Sequence, residues 1–381
     1  MSHLGLYVHV PFCGSICNYC NFTRGLLDPQ LKARFVTAVQ SDIAGAAARV
    51  TRGVTALQAD TIFFGGGTPS LLTPAEIGDI IRACHTAFDV SVGAEVTLEV
   101  NPETVTADNL SGFRQAGVNR VSIGVQSFRD DELTRLGRVH DQARARRAVA
   151  DARAAGFDNL SIDLMMWLPG QHLGDWQASI DGLLEVQPDH ASLYMLELYP
   201  NAPLRDVMAR TGSSLAPDDD AAEMYEMAMD QLAERGLEQY EISNVARPGR
   251  ASRHNLKYWT DGEWLGFGPG AHSTFGGARW RNVAATEAYL AAVESGGDIA
   301  VEHRSLCADD RWREAVITGL RLVDGIDVEE FRQKYGLDLR SRYGDHLRPH
   351  LEAGLVLDDG ARLRLSRRGM LLANEVLVVF I

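Results

Sequence analysis

Tyr7-Val-His-Val-Pro-Phe-Cys-Gly-Ser-Ile-Cys-Asn-Tyr-Cys-Asn-Phe22 decides how the rest of the chain is read. An apolar, strand-forming run feeds directly into Cys13, Cys17 and Cys20, three thiols within eight residues at C-x3-C and C-x2-C spacing. Soft thiolates select zinc, Cu(I) or iron–sulfur clusters. Structural zinc needs four closed ligands, usually as two separated pairs. No second pair exists here, because Cys84 and Cys307 stand alone. Three thiolates on a [4Fe–4S] cube leave one iron open to a further ligand. A zinc site or three unrelated thiols are the alternatives.

Composition narrows the setting. The chain has 381 residues, 45% hydrophobic and 23% charged, enough for a large domain and a smaller one. A net charge of −14 argues against general binding to nucleic acid or anionic membranes, which favour positive patches. No run of about 18 apolar residues predicts a spanning helix. The N-terminus lacks a basic-then-apolar signal segment. Five cysteines with three clustered suggest a cytoplasmic metal or redox site rather than a disulfide framework.

Six β-type runs recur: Leu4–Val10, Thr61–Phe64, Glu95–Val100, Arg120–Gln126, Asn159–Met166 and Ala191–Leu196. Helical patterns separate them at Gln30–Ala48, Pro74–Phe88, Asp108–Ala116, Gln142–Ala155 and Asp175–Val186. Such alternation predicts an α/β fold with a parallel sheet. Six units fit a partial (β/α) barrel better than a flat dinucleotide fold. Polar or glycine-rich features fall at the strand C-termini, where barrels place their sites. They are the cysteines, Gly65-Gly-Gly-Thr-Pro69, Glu99 with Asn101, and Gln126, while Asp163 lies on the fifth strand. The pattern divides the chain into 1–235, an extension 236–307, and a tail 308–381. An acidic amphipathic helix is expected at Asp218–Arg235, followed by an Arg/Pro/Gly/Ser-rich loop and a glycine-rich stretch from Gly262. In the tail, helices at Arg311–Leu322, Val328–Tyr335 and Leu339–Glu352 precede a hairpin of Leu355–Leu357 and Arg362–Leu365. That order predicts a winged-helix-like α+β unit, favoured as a docking or lid domain since no basic stripe marks it for DNA.

The cysteine spacing, with an aromatic before the last thiol, resembles the signature of radical S-adenosylmethionine (SAM) enzymes. The resemblance implies a radical SAM partial (β/α)6 barrel, with SAM on the open iron of a [4Fe–4S] cluster held by Cys13, Cys17 and Cys20. It implies that Gly66, Gly67 and Thr68 meet the methionine amino group. Glu99 and Gln126 would contact SAM, Gln126 at the ribose. Arg138 would pair with the SAM carboxylate, Asp163 would face the ribose or adenine, and Tyr7 would reach the same pocket. Read as residues alone, Glu99 is a strand-end carboxylate, Arg138 a surface arginine and Tyr7 a packed strand tyrosine. Asp163 inside an apolar strand needs a partner whatever its role.

The order from Tyr7 through Gly-Gly-Gly-Thr-Pro, Gly-Val-Gln-Ser-Phe and Asp163-Leu-Met-Met-Trp-Leu-Pro-Gly170 resembles the oxygen-independent coproporphyrinogen oxidase group over residues 4–380. The oxidases carry a fourth cysteine where this chain has Phe22. His254-Asn-Leu-Lys-Tyr-Trp259 resembles the H-N-x-x-Y-W motif of the HemW type, which acts as a haem chaperone. The resemblance implies three cofactors: the cluster, SAM and haem. It implies transfer of haem to apo-haemoproteins of respiratory chains, with a transient membrane-surface encounter and no oxidase activity. His254 is the expected haem-iron ligand, with Tyr258 and Trp259 as a porphyrin face; a structural motif with His254 bonded to backbone is the alternative. A homodimer is compatible with the sequence. Porphyrinogen decarboxylation, another radical transformation, and a non-catalytic DNA-binding role are the competing functions.

Overall fold

A computed structural model describes residues 3–51, 57–200 and 202–381. Strands follow the six expected runs: β1 (Leu4–Val10), β2 (Gln58–Gly66), β3 (Asp89–Val100), β4 (Arg120–Gln126), β5 (Leu160–Met166) and β6 (His190–Met195). All are parallel and pair in chain order. Helices α1 (Pro29–Thr51), α2 (Pro74–Ala87), α3 (Ala107–Gln115), α4 (Gln142–Ala154) and α5 (Leu173–Glu185) lie between them. Local chemistry sets the helix starts. Thr73 and Thr106 form capping boxes with Glu76 and Asn109, and Asp141 accepts from the Arg144 amide.

Side chains alternate in every central strand. Leu6, Val8, Ile62, Phe64, Leu98, Val121, Ile123, Ile162 and Leu164 face the helices and belong to one core. The other parity is polar or aromatic: Tyr7, Phe63, Glu99, Ser122, Asp163 and Ser192 line a single cavity of about 280 Å³. In a flat sheet, β1 and β6 would lie about 24 Å apart, given about 4.8 Å between neighbours. Tyr7 and Tyr194 nevertheless share that cavity, so the sheet is strongly curled.

The segment 236–307 adds strands to both edges of this sheet, giving twelve in all. Glu238–Glu241 (β7) and Asn244–Ala246 (β8) extend it antiparallel beyond β6. A short helix, α6 (Arg253–Trp259), follows. Trp264–Phe267 (β9) then pairs parallel with β1 on the opposite side. His272–Phe275, Ala278–Asn282 and Ala300–Ser305 continue that edge antiparallel. The glycine-rich stretch thus contains strands of only four or five residues, too short to leave a periodic signal.

The tail has its own core, including Trp312, Val316, Phe331, Leu347 and Phe380. Helices Ala308–Gly319, Val328–Tyr335 and Leu339–Glu352 pack with a three-stranded sheet ordered Ile326–Asp327, Arg362–Leu365, Val356–Asp358. Its first helix begins three residues earlier than the sequence suggests. Cys307 caps it, with its sulfur accepting from the Asp310 amide. Arg279–Glu314 at 2.7 Å and Arg321–Glu241 at 3.1 Å tie the tail to the large sheet. Among the described residues, no helix is long and apolar enough to cross a membrane.

The extension is anchored by a buried hydrogen bond from Tyr289 to Asp42 on α1, at 2.7 Å. Burial pushes the Asp42 carboxyl up, and the tyrosine hydroxyl opposes that shift. Tyr289→Phe should lower the unfolding free energy by about 1–3 kcal/mol, the cost of a buried polar group losing its partner. Urea denaturation measures it, and an unchanged midpoint would show the contact to be idle.

Candidate cofactor site

The cysteine loop is pinned at both ends. Phe12–Cys13 pairs parallel with Gly25–Leu26, and the Leu27 amide donates to the Cys13 carbonyl at 3.0 Å. In the middle, the Asn18 amide donates to Leu136 and the Leu204 amide to Asn18. Arg24 donates to the Phe22 and Cys20 carbonyls. Burial raises the Cys13 and Cys20 thiols, while the Arg24 charge works against that rise. The Cys13 thiol is raised further by Cys20 and Cys17, and the Cys20 thiol by Cys17. Among the described residues, no three His, Cys, Asp or Glu side chains form a single-ion site. A cuboidal cluster spreads its sulfur ligands wider than one ion does, and three thiols in one short loop suit that demand. Cys84 lies fully inside the core, where burial pushes its thiol up to about 12.

Arg138 and Thr68 sit against the thiols rather than in the cavity. Arg138 reaches the Cys17 sulfur at 3.4 Å, Asn101 Oδ1 at 2.9 Å and the Gly124 carbonyl at 2.8 Å. Asn101 in turn donates to Thr68 Oγ1 at 3.2 Å, and the Thr68 side chain bonds Cys13. The glycines let β2 close onto the loop. Gly66 has φ +111°, and a Cβ at Gly67 would lie 2.6 Å from the Phe12 carbonyl oxygen. Gln126 ends β4 at a register shift with φ +70°, an unusual value for a residue with a side chain.

Tyr7, Gly66, Glu99, Asp163 and His254 line the cavity itself. Glu99 Oε2 accepts from the Gly66 amide at 3.2 Å. Burial, helped by the Asp163 charge, pushes the Glu99 carboxyl up to about 8. Asp163 is also raised by burial, against hydrogen bonds from Ser192 and Ser122, the latter at 3.0 Å. Phe63, Arg120, Ser122, Ser192, Tyr194 and Asn255 line it too and were not singled out in the sequence. Strand parity would have found most of them, since each strand residue among them shares the inward face of its strand.

His254 lies at the opposite end of the barrel from the cysteines. It packs beside Gly5 and bonds Thr61, both near strand N-termini. The five steps from Gly5 to Val10 span about 16 Å of strand. His254 is 1% exposed. Its Nδ1 pairs with Thr61 Oγ1 at 2.8 Å and its Nε2 with Tyr258 hydroxyl at 3.0 Å. Both ring nitrogens of the expected haem ligand are thus hydrogen-bonded within the chain. The two aromatics expected as one porphyrin face part company. Tyr258 lines the cofactor cavity, whereas Trp259 lines a second one of about 150 Å³ against the tail, with Arg321 stacked on it at 4.4 Å.

Two family profiles match: the radical SAM superfamily over residues 7–183 and the HemN C-terminal domain over 306–372. Heme chaperone HemW of Bacillus subtilis is 35% identical, covering 98% of this chain and 98% of its own. The chain belongs to the HemW family. Heme chaperone HemW of Escherichia coli is 32% identical over 99% of this chain and 98% of its own. A bovine mitochondrial protein, radical S-adenosyl methionine domain-containing protein 1, is 36% identical over 98% of this chain and 86% of its own. The coproporphyrinogen III oxidase HemN of E. coli, a radical SAM enzyme, superposes with a TM-score of 0.87 over 100% of this chain and 90% of its own, at 24% identity. The HemW-family chain therefore has the radical SAM fold of that oxidase. At the position of the oxidases' fourth cysteine, its Phe22 is 67% exposed and stands at the cavity mouth.

Burial pulls the His254 imidazole down to about 3. Its unfolded value is about 6.5. The unfolded chain therefore binds this proton first as pH falls, so the contribution is complete above about 6.5 and is lost progressively down to about 3. In His254→Gln, the fall in unfolding free energy between pH 6.5 and 4.5 should be shallower by up to about 1.4 kcal/mol per pH unit. Equal slopes in urea titrations of the two proteins would contradict this burial.

Proposed function

We propose that this protein is a haem chaperone that carries a [4Fe–4S] cluster and SAM and delivers haem to apo-haemoproteins, those of respiratory chains foremost. The observation that carries the cofactor part is a three-thiol loop at the C-terminal end of β1 beside a cavity that holds Glu99 and Asp163, with Phe22 and Gly66 in its wall next to that loop. Family membership carries the haem part. Cys13, Cys17 and Cys20 would hold the cluster, leaving one iron for the amino and carboxylate groups of SAM. When bound, the pair supplies one-electron chemistry at the sulfonium. The protein's share is binding and orientation. Gly66, Gly67 and Thr68 bring backbone to the thiol loop, Tyr7, Glu99 and Asp163 furnish the cavity wall, Arg138 would hold the SAM carboxylate beside Cys17, and Gln126 would meet the ribose from the end of β4.

Haem would be taken up outside the barrel floor, where His254 is already bonded twice. The cavity is also small for a porphyrin beside SAM, since drug-sized ligands fill roughly 300–1,000 Å³. Phe22, exposed at the cavity mouth, and Met195, exposed at the end of β6, offer apolar surface suited to a flat macrocycle. The chaperone is expected to work in the cytoplasm and to meet membrane-bound acceptors transiently.

Cluster assembly has a direct test. Anaerobic reconstitution should yield about four iron and four sulfide per chain. Cys13→Ala, Cys17→Ala and Cys20→Ala should each abolish the cluster absorption, while Cys84→Ala retains it. Equal loss in the Cys84 variant would sink the three-ligand assignment.

Function separates from the oxidase in a second measurement. Reconstituted protein should bind haem and transfer it to an apo-haemoprotein, without converting coproporphyrinogen III to protoporphyrinogen IX. Robust decarboxylation with SAM and reductant would favour the oxidase instead.

A further inference from the structure

Arg120 opens β4, is 2% exposed, and lines the cofactor cavity together with Glu99 and Asp163. Its Nε is buried with no hydrogen-bond partner. A guanidinium is expensive to bury, and most buried cations are paired directly. Two features argue against an idle packing role. Along the inward parity of β4 it is followed by Ser122, which bonds Asp163, and by Gly124. Its cross-strand partner on β3 is Thr97, two residues before Glu99. The arginine is therefore built into the two strands that carry the cavity's carboxylates and their serine donor.

We propose that Arg120 is a positioning residue of the cofactor site, a fixed positive charge that eases ionisation of Glu99 and Asp163 and so their pairing with a cationic ligand. This rests on the reading that the cavity takes SAM, whose sulfonium is the cation. The other titratable groups facing the two carboxylates supply no such charge near neutral pH. His190 from β6 and His254 from α6 are held neutral by burial, which pulls both imidazoles down. His9, at the top of β1, is pulled down for the same reason. Tyr7, Tyr194, Tyr240 and Tyr258 are pushed up by burial and stay uncharged. Glu95 adds negative charge, although its two oxygens accept the Arg253 and His254 amides at 3.1 Å each. Arg120 is the charge that opposes protonation of both Glu99 and Asp163.

The sign follows directly. A cation binds ionised carboxylates better than protonated ones, so affinity rises with pH until they ionise. Removing Arg120 makes ionisation harder and moves that rise to higher pH. The test is SAM affinity of the anaerobically reconstituted protein, by calorimetry at pH 6.5 to 9, for wild type, Arg120→Gln and Arg120→Lys. Arg120→Gln should lose about tenfold at pH 7, about 1.4 kcal/mol, and recover much of it by pH 9. Arg120→Lys, which keeps the charge, should follow the wild-type pH profile. Wild-type affinity and profile in Arg120→Gln would overturn the proposal. So would a pH-independent loss shared by both variants, which marks a structural role. If the glutamine variant fails to fold, the lysine variant decides: a wild-type profile supports the charge role and a displaced one ends it. Failure of wild type itself to bind SAM would strike the cofactor reading instead.

Discussion

Parallel strands that alternate apolar and polar side chains must hide two chemically opposite faces. Helices cover the apolar one. The polar one can be enclosed only if its groups satisfy one another, because an unpartnered buried polar atom costs about 1–3 kcal/mol. Most of the inward rows solve this locally. Ser122 bonds Asp163, Ser161 bonds His190, His190 bonds Tyr240, and Thr61 bonds His254. Two groups that are left short stand together. Glu99, with a single amide donor, and Arg120, with its unpartnered Nε, face the same cavity. A carboxylate and a guanidinium left short beside one cavity are groups that a ligand there would satisfy.

The same economy holds at the mouth. Cys17, Arg138, Asn101, Thr68 and Cys13 form a continuous chain of contacts across three strand ends. Arg138 thereby brings a positive charge to the loop, and that charge works against the burial that raises the Cys20 thiol. The chain also fixes the loop relative to β2 and β3. Gly67 then has no freedom to carry a side chain, since the Phe12 carbonyl occupies the space.

Much of this was legible in the sequence because its signals are local. Strand parity, capping residues and cysteine spacing all act over a few residues, and the six units and three tail helices lie close to where those patterns put them. Three things were not legible. The short edge strands after Gly262 are stabilised by pairing with distant partners, which no local pattern reports. Arg120 reads as an ordinary strand terminus until the curl turns it inward. The third is that Tyr258 and Trp259 of the H-N-x-x-Y-W segment line different cavities, although helical geometry already pointed to it. Residues four apart share a helix face, whereas neighbours diverge by about 100°. His254 and Tyr258 therefore meet, while Trp259 points elsewhere.

That divergence gives the motif a physical logic of its own. One face of α6 closes the barrel floor through His254, Asn255 and Tyr258. Its end, Trp259 to Asp261, meets the tail, where Asp261 takes the Tyr335 hydroxyl at 2.5 Å and Lys334 at 3.0 Å. Arg321 joins the two systems, stacking on Trp259 while pairing with Glu241, itself fully buried at the end of β7. His254, Tyr258 and Trp259 are thus each tied to a neighbour outside the helix, namely Thr61, Trp264 and Arg321. A helix of seven residues is too short to be stable alone. It is held by what it touches on both sides, between the cavity and the C-terminal unit.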